Sequence, residues 1–241
     1  MRQRAIAVMT IGIAAMGSLA PRLALAQPHA TENKTQSVPF GDIKIVLHAR
    51  PQHCMLDTSQ AADEQLTALF FRPRAGKMNT YLGAFVHCDE LTALRSNQER
   101  VQMLSYAYYL ASTFAANDPI VQPRDQFLRG VCDAARARSG SLDLGAETTM
   151  REIEAKIKAL PIGAPWFGPI VAHDKNGCYQ IILHKRPVLS VEHREMLLTV
   201  TTEVKRRAVI YTTAMPYAVA WLPKFVELAR SDLAAFIELN P

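Results

Sequence analysis

Four cysteines and seven histidines are the side chains of this 241-residue sequence best suited to metal binding or nucleophilic chemistry. Two of each fall together as His53-Cys54 and His87-Cys88, inside the short stretches HCMLD and HCDEL. A two-His, two-Cys set suits zinc, but all four groups would have to converge on one ion at about 2.0–2.3 Å. Neighbouring residues on extended backbone point to opposite sides, which works against that convergence. His173, His184 and His193 are scattered, no two histidines have the i, i+4 spacing of a helical metal pair, and H-E-x-x-H is absent. A Cys nucleophile with a His base needs a free thiolate. Neither G-x-S-x-G, a Gly-rich phosphate loop nor C-x-x-C occurs, so the sequence predicts no cofactor, no metal and no catalytic residue. The carboxylate pair Asp89/Glu90 reads as the acidic first turn of a helix.

The amino terminus decides how the cysteines are read. Arg2 and Arg4 precede an apolar run from Ala5 to about Ala20, followed by Ala24-Leu25-Ala26. A positive start, a short apolar stretch and an A-x-A site predict a secretory signal peptide over residues 1–26, cleaved after Ala26. The run is shorter than the roughly 20 residues that a membrane span needs, so no stable span is expected after cleavage. The protein is thus expected to be periplasmic or secreted. In an oxidising compartment an even set of widely spaced cysteines predicts two disulfides among Cys54, Cys88, Cys132 and Cys178.

Three pairings are open. Cys54 and Cys88 each lie where a strand-like run gives way to a helix start, and two parallel strands would bring both junctions to one end of a sheet. That layout favours Cys54 with Cys88, and Cys132 with Cys178.

The elements that must carry these residues follow from periodicity. Residues 27–39 (QPHATENKTQSVP) have no apolar period and read as a flexible lead-in to a single domain over 40–241. Ile43–His48 reads as a strand, SQAADEQLTALFF as a helix capped by Asp57, Thr58 or Ser59, Tyr81–His87 as a second strand, and DELTALRS as a short helix. VQMLSYAYYLAS is apolar on every face, and its tyrosines favour a buried strand. Helices are expected from Pro123 to Gly140, with Cys132 inward, and around Met150, Ile153, Ile157 and Leu160. Asn176-Gly177 predicts a type I′ hairpin between two strands. MLLTVTTEV and AVIYTTA continue an antiparallel meander. A closing helix presents Leu222, Phe225, Val226, Ala229, Leu233, Phe236 and Ile237 as one stripe to lie across that sheet.

Strands in groups with helices between them predict an α+β fold, a mostly antiparallel sheet with helices packed on its faces. An initial strand, the HCMLD turn, a helix, a strand ending in HCDEL, late antiparallel strands and a terminal amphipathic helix ending at Asn240 form a recognisable order. In this order the chain resembles uncharacterised exported proteobacterial proteins similar in layout to the PsbP-like and DcrB-like α/β/α sandwich. The resemblance implies the fold and carries no chemistry.

Two features are candidate binding surfaces. Trp166 and Phe167 sit in a loop bracketed by Pro165 and Pro169 and are read as a binding lip, with burial of both in the core as the alternative. Lys205, Arg206 and Arg207 form the densest basic cluster, at a hairpin tip where anionic lipid or an acidic partner would meet it. The overall charge does not point to nucleic acid. The chain has 27 basic and 22 acidic residues, but residues 1–26 hold three arginines and no acid, leaving 24 against 22 and a net charge of +2 after cleavage. The sequence is therefore read as an exported envelope protein acting as a non-catalytic binding or accessory module for an unidentified envelope partner. A cysteine- or metal-dependent periplasmic enzyme is the alternative.

Overall fold

Alternation along the late strands sorts their side chains into two apolar sets, one for each face of a sheet, and the architecture follows from what covers each set. A computed structural model describes residues 35–241 apart from 97–102, 104, 114–115, 117, 142–146 and 189–190. The expected signal peptide and the first part of the expected lead-in, residues 27–34, lie outside the described residues. Among those described, no helix is long and apolar enough to cross a membrane.

The fold is α+β. Seven antiparallel strands form the main sheet: β3 (His53–Met55), β4 (Asn79–His87), β5 (Tyr106–Ser112), β6 (Pro165–His173), β7 (Cys178–Val188), β8 (Val191–Val204) and β9 (Arg207–Pro216), in the order β3-β4-β5-β9-β8-β7-β6. The predicted meander is β6 to β9. β5 is the buried strand expected from the tyrosine run, and it lies between β4 and β9.

Two expectations are corrected at the amino-terminal end. The first predicted strand, β2 (Ile43–His48), does not lie parallel to β4. It pairs antiparallel with β1 (Thr35–Phe40) in a separate two-stranded sheet. Residues 35–39, expected as lead-in, thus form most of β1. Their alternation is too short and polar to signal a strand, and β1 is held by main-chain pairing to β2.

One face of the main sheet carries Tyr109, Tyr179, Ile181, Leu183, Met196, Leu198, Val200, Val209 and Tyr211. It is covered by α5 (Glu147–Ala159) through Ile153 and Ile157, by the β1–β2 ribbon through Phe40, Ile45 and Leu47, and by α6 (Leu222–Glu238). The predicted α6 stripe packs as expected, with six of its seven residues buried and Ile237 partly so. Burial at this scale supplies about 1.5–3 kcal/mol per large side chain. Asn240 locks the end of α6 to β2, accepting a hydrogen bond from the Val46 N–H and donating to the Val46 and Phe236 carbonyls, each at 2.8 Å.

A polar network sits in the same layer. Arg50 donates to Thr213 Oγ1 at 3.0 Å and Ser105 Oγ at 2.7 Å, and lies 3.9 Å from Asp232 on α6. Asp232 accepts from the Tyr211 hydroxyl at 2.6 Å. Burial raises the Asp232 carboxyl above the usual carboxylate range, against the pull of Tyr211 and Arg50. His53 Nδ1 faces the Pro51 carbonyl at 3.1 Å and Nε2 faces Arg50 at 3.0 Å, so the neutral ring with its proton on Nδ1 meets both partners.

The opposite face is covered in two places. At the β3–β4–β5 end lie α1 (Ala61–Leu66), a π-helical turn (Thr67–Phe71), α2 (Arg72–Ala75) and α3 (Cys88–Arg95), packing Phe71, Leu91, Tyr106 and Tyr108. The helix expected over 59–71 is therefore interrupted, and its N-cap is Gln60 without a side-chain cap. At the β6–β7 edge lies α4 (Arg124–Ser139), which ends at Gly140 as predicted.

Both favoured disulfides form, and all four cysteines are used. The geometry behind the first differs from the parallel-strand argument. Cys54 on β3 lies opposite Val86 on antiparallel β4, and Cys88 is two residues further on, so both sulfurs share a face. His53 and His87 pair directly on the other face. Cys132–Cys178 ties α4 to β7 with Cα atoms 5.6 Å apart. Closing loops of 34 and 46 residues stabilises by about 4 kcal/mol each in the chain-entropy model.

The turn chemistry is also redistributed. His173 pairs with Cys178, leaving a four-residue loop in which Asp174 Oδ1 accepts from the Asn176 and Gly177 N–H groups. Asn176 and Gly177 do not have positive φ, so this is not a type I′ turn. The left-handed pair is Lys205 (φ 47°) and Arg206 (φ 60°), the two-residue loop between Val204 and Arg207.

Candidate functional site

The coverage of the second face leaves a gap. Between α4 and the α1–α2 segment, alternate side chains of strands β5, β9, β8 and β7, half of them buried, line an open groove of about 690 Å³. Its floor is Tyr108 and Leu110 of β5, Ile210 and Thr212 of β9, Leu197 and Thr199 of β8, and Ile182 and His184 of β7. The register explains the set: Tyr108 pairs with Thr212 and Thr212 with Thr199, while Leu197 pairs with Ile182 and Ile182 with Phe167. Residues two apart on each strand then share the face.

The π-helical turn builds one wall. An α-helix presents side chains to a neighbour at i, i+3 and i+4, and one wider turn lets adjacent residues both face the sheet. Phe70 and Phe71 both pack edge-on to Tyr106, with centroids at 5.2 and 5.7 Å. Phe71 is buried beneath the wall and Phe70 lines the groove. Four residues on, the Arg74 guanidinium lies 3.6 Å over the Phe70 ring and donates to the Phe70 carbonyl at 2.5 Å and to the Tyr106 hydroxyl at 3.4 Å. Cation–π contact of this kind contributes about 0.5–2 kcal/mol.

The polar end of the groove is a relay of side chains. Ala214 on β9 is small enough for Tyr106 to reach across it, and its hydroxyl donates to Glu195 Oε1 on β8 at 2.5 Å. Glu195 is 2% exposed. His184, its cross-strand neighbour, puts Nδ1 3.7 Å from Glu195 Oε2 and lines the groove. Burial pushes the Tyr108 hydroxyl up, so it stays a neutral donor and acceptor on the floor.

The two predicted aromatics are split by the pleat. Phe167 stands 61% exposed on the groove side and forms its outer lip. Trp166, one residue earlier, turns to the opposite face and packs against the main core, close over Gly168. The reading of both as one lip is therefore corrected, and so is burial of both. The basic tip does not line the groove. Lys205 Nζ donates to the Lys44 carbonyl, Arg206 Nε to the Ile120 carbonyl, and buried Arg207 pairs with Asp42 at 2.7 Å. The Arg207 guanidinium, through its hydrogen bond, holds the Asp42 carboxyl below the usual range. These side chains stitch β2 and the segment before α4 to the β8–β9 turn.

Arg74, Tyr106, Glu195 and His184 were not singled out as a site by sequence reasoning. The available signal was the period-2 pattern that puts Tyr106, Tyr108 and Leu110 on one face, but their partners lie on strands about 100 residues away. No protein-family model matches the chain, and no curated protein matches it in sequence. With every cysteine oxidised, the molecule presents no thiolate. Among the described residues, no three His, Cys, Asp or Glu side chains are placed to hold one metal ion. A concave apolar surface with a few convergent polar groups is the geometry of a ligand site.

Proposed function

We propose that the protein is an exported binding module of the cell envelope that takes a small apolar ligand across the uncovered face of its sheet. The carrying observation is the groove: strand side chains that elsewhere on this face lie under helices line an opening here, and Phe167 stands largely exposed at its edge. Its volume lies within the roughly 300–1,000 Å³ range of small-molecule sites. Export is supported by the amino-terminal pattern of Arg2, Arg4, the apolar run and Ala24-Leu25-Ala26, and by the two disulfides, which persist in an oxidising compartment. The helices on both faces support the likeness in layout to the PsbP-like and DcrB-like sandwich, which carries no ligand with it.

The test is titration of the oxidised protein with N-phenylnaphthylamine, an uncharged dye that brightens in apolar surroundings. Saturable brightening is expected, and Thr199→Trp, which puts an indole on the groove floor, abolishes it. Dye binding that is absent, or that survives Thr199→Trp unchanged, rejects the groove as the site. Intact mass of the exported protein, four hydrogens below the reduced chain and starting at Gln27, is the expected result for compartment and cleavage.

A further inference from the structure

We infer that the ligand is a single-chain amphiphile with an anionic head, its chain laid across the strands towards Phe167 and its head held by Arg74. This deepens the binding reading above and rests on it. The charge of the lining carries the inference. Among the described residues no acidic side chain lines the groove, and the ionisable cationic groups that line it are Arg74 and His184. The Glu195 carboxylate at its polar end is buried behind the groove surface with Tyr106 donating to it.

Arg74 is held in place without being neutralised. The Phe70 carbonyl and the Tyr106 hydroxyl each accept one of its bonds, its planar group rests on the Phe70 ring, and no carboxylate among the described residues pairs with it directly. A guanidinium carries five N–H donors, so donors remain for a carboxylate, to which charge-assisted bonds are about twice as strong as neutral ones. A partly buried cation beside an apolar floor is a poor site for a purely apolar molecule, because desolvating it without a partner is unfavourable. A ligand with an anion at one end removes that penalty.

The groove's extent fits one chain. Four inter-strand steps from β5 to β6 at about 4.8 Å each give a floor about 19 Å across. Leu197, Ile182 and Phe167 mark an apolar row leading away from Tyr106, in register across β8, β7 and β6. A hydrocarbon tail along that row would pack over Leu197 and cover half-buried Ile182 and exposed Phe167.

The experiment compares dodecanoic acid with dodecanol as competitors for bound N-phenylnaphthylamine, at about pH 8, where the acid is ionised. The acid is expected to bind about tenfold or more tightly than the alcohol, the gain of one charge-assisted contact. Arg74→Gln should abolish that preference, acid and alcohol each being scaled to the dye affinity measured on the same variant, and Arg74→Lys should retain most of it. Equal affinities for acid and alcohol, or a preference that survives Arg74→Gln, overturn the inference and leave the apolar groove standing. Failure of the dye itself to bind, or a dimer in sedimentation that closes this face, overturns the groove reading and the inference together.

Discussion

His53 gives the fold a built-in acid sensitivity whose size follows from its surroundings. The ring is 6% exposed, faces the Arg50 guanidinium, and contacts His87 edge-on with centroids 5.7 Å apart. Burial first, and then the positive charge of Arg50, lower its pKa from 6.5 to about 3, against the pull of the Pro51 carbonyl. The folded-state value lies below the unfolded one, so neutral His53 supports the fold fully above pH 6.5. That support is lost as pH falls through 6.5 towards 3, because the unfolded chain takes up the proton and the native ring does not. At 1.36 kcal/mol per unit, going from about pH 7.5 to about pH 4.5 removes roughly 2.6 kcal/mol through this residue alone.

The perturbation is His53→Gln, which retains a donor for Pro51 and an acceptor for Arg50 but does not titrate. Urea unfolding of the oxidised protein at both pH values yields the two stabilities by linear extrapolation. Asp232, whose carboxyl is raised, gains protons with the opposite effect on stability and is present in both proteins, so the comparison isolates His53. Wild type should lose roughly 2.6 kcal/mol more than the variant. Equal losses, within about 0.5 kcal/mol, would refute the assignment of a neutral buried imidazole.

Removing the second disulfide by Cys132→Ala with Cys178→Ala opens a 46-residue loop and should lower stability by about 4 kcal/mol, read as a reduced urea midpoint, with protease cleavage appearing in α4. Arg95→Ala strips the guanidinium that donates to fully buried Asp63 at 3.0 and 2.6 Å. A loss of about 3 kcal/mol is expected, partly restored when Asp63→Asn is added, as a double-mutant cycle reports. Asn240→Ala leaves the Val46 N–H and C=O without their partner and should destabilise by about 2 kcal/mol, with faster amide exchange at Val46 as the local signature.

Much of the fold was legible because its signals are local. The α6 stripe, the β-branched runs of β8 and β9, and the helix ending at Gly140 each follow from a period or a cap within a dozen residues. The disulfides were legible from an even count of cysteines and the export-like amino-terminal pattern, although the parallel pairing invoked for Cys54 and Cys88 is wrong. The right sulfurs meet because β3 folds back antiparallel onto β4. Asn176-Gly177 marks a hairpin as read, but its turn type yields to the Asp174 side chain, which ties the loop through its own hydrogen bonds. The type I′ geometry falls on Lys205-Arg206, where main-chain and side-chain bonds to Glu203, Lys44 and Ile120 hold two non-glycine residues at positive φ. Neither turn could be typed from its dipeptide alone.

The candidate site was less legible, and the reason is separation along the chain. Phe167 was picked out as a bulky aromatic in a proline-bracketed loop; it does stand exposed, but on strand β6 rather than in a loop. Trp166 was coupled to it by adjacency, whereas on a strand adjacency means opposite faces. Arg74 has an ordinary sequence context, and only a π-helical turn after Leu66 brings it over Tyr106 and the groove.

By itself the sequence determined the alternation that makes both faces of the sheet apolar, the amphipathic helices able to cover them, and an even set of cysteines beside an export-like amino terminus. These are consequences of residue type at short spacing. Tertiary structure alone decided how the cover is shared out. α5, α6 and the β1–β2 ribbon occupy one face, while α1–α3 and α4 occupy only the two ends of the other. The groove is the space left between them, and it exists because helices can bury only the surface that their connections let them reach.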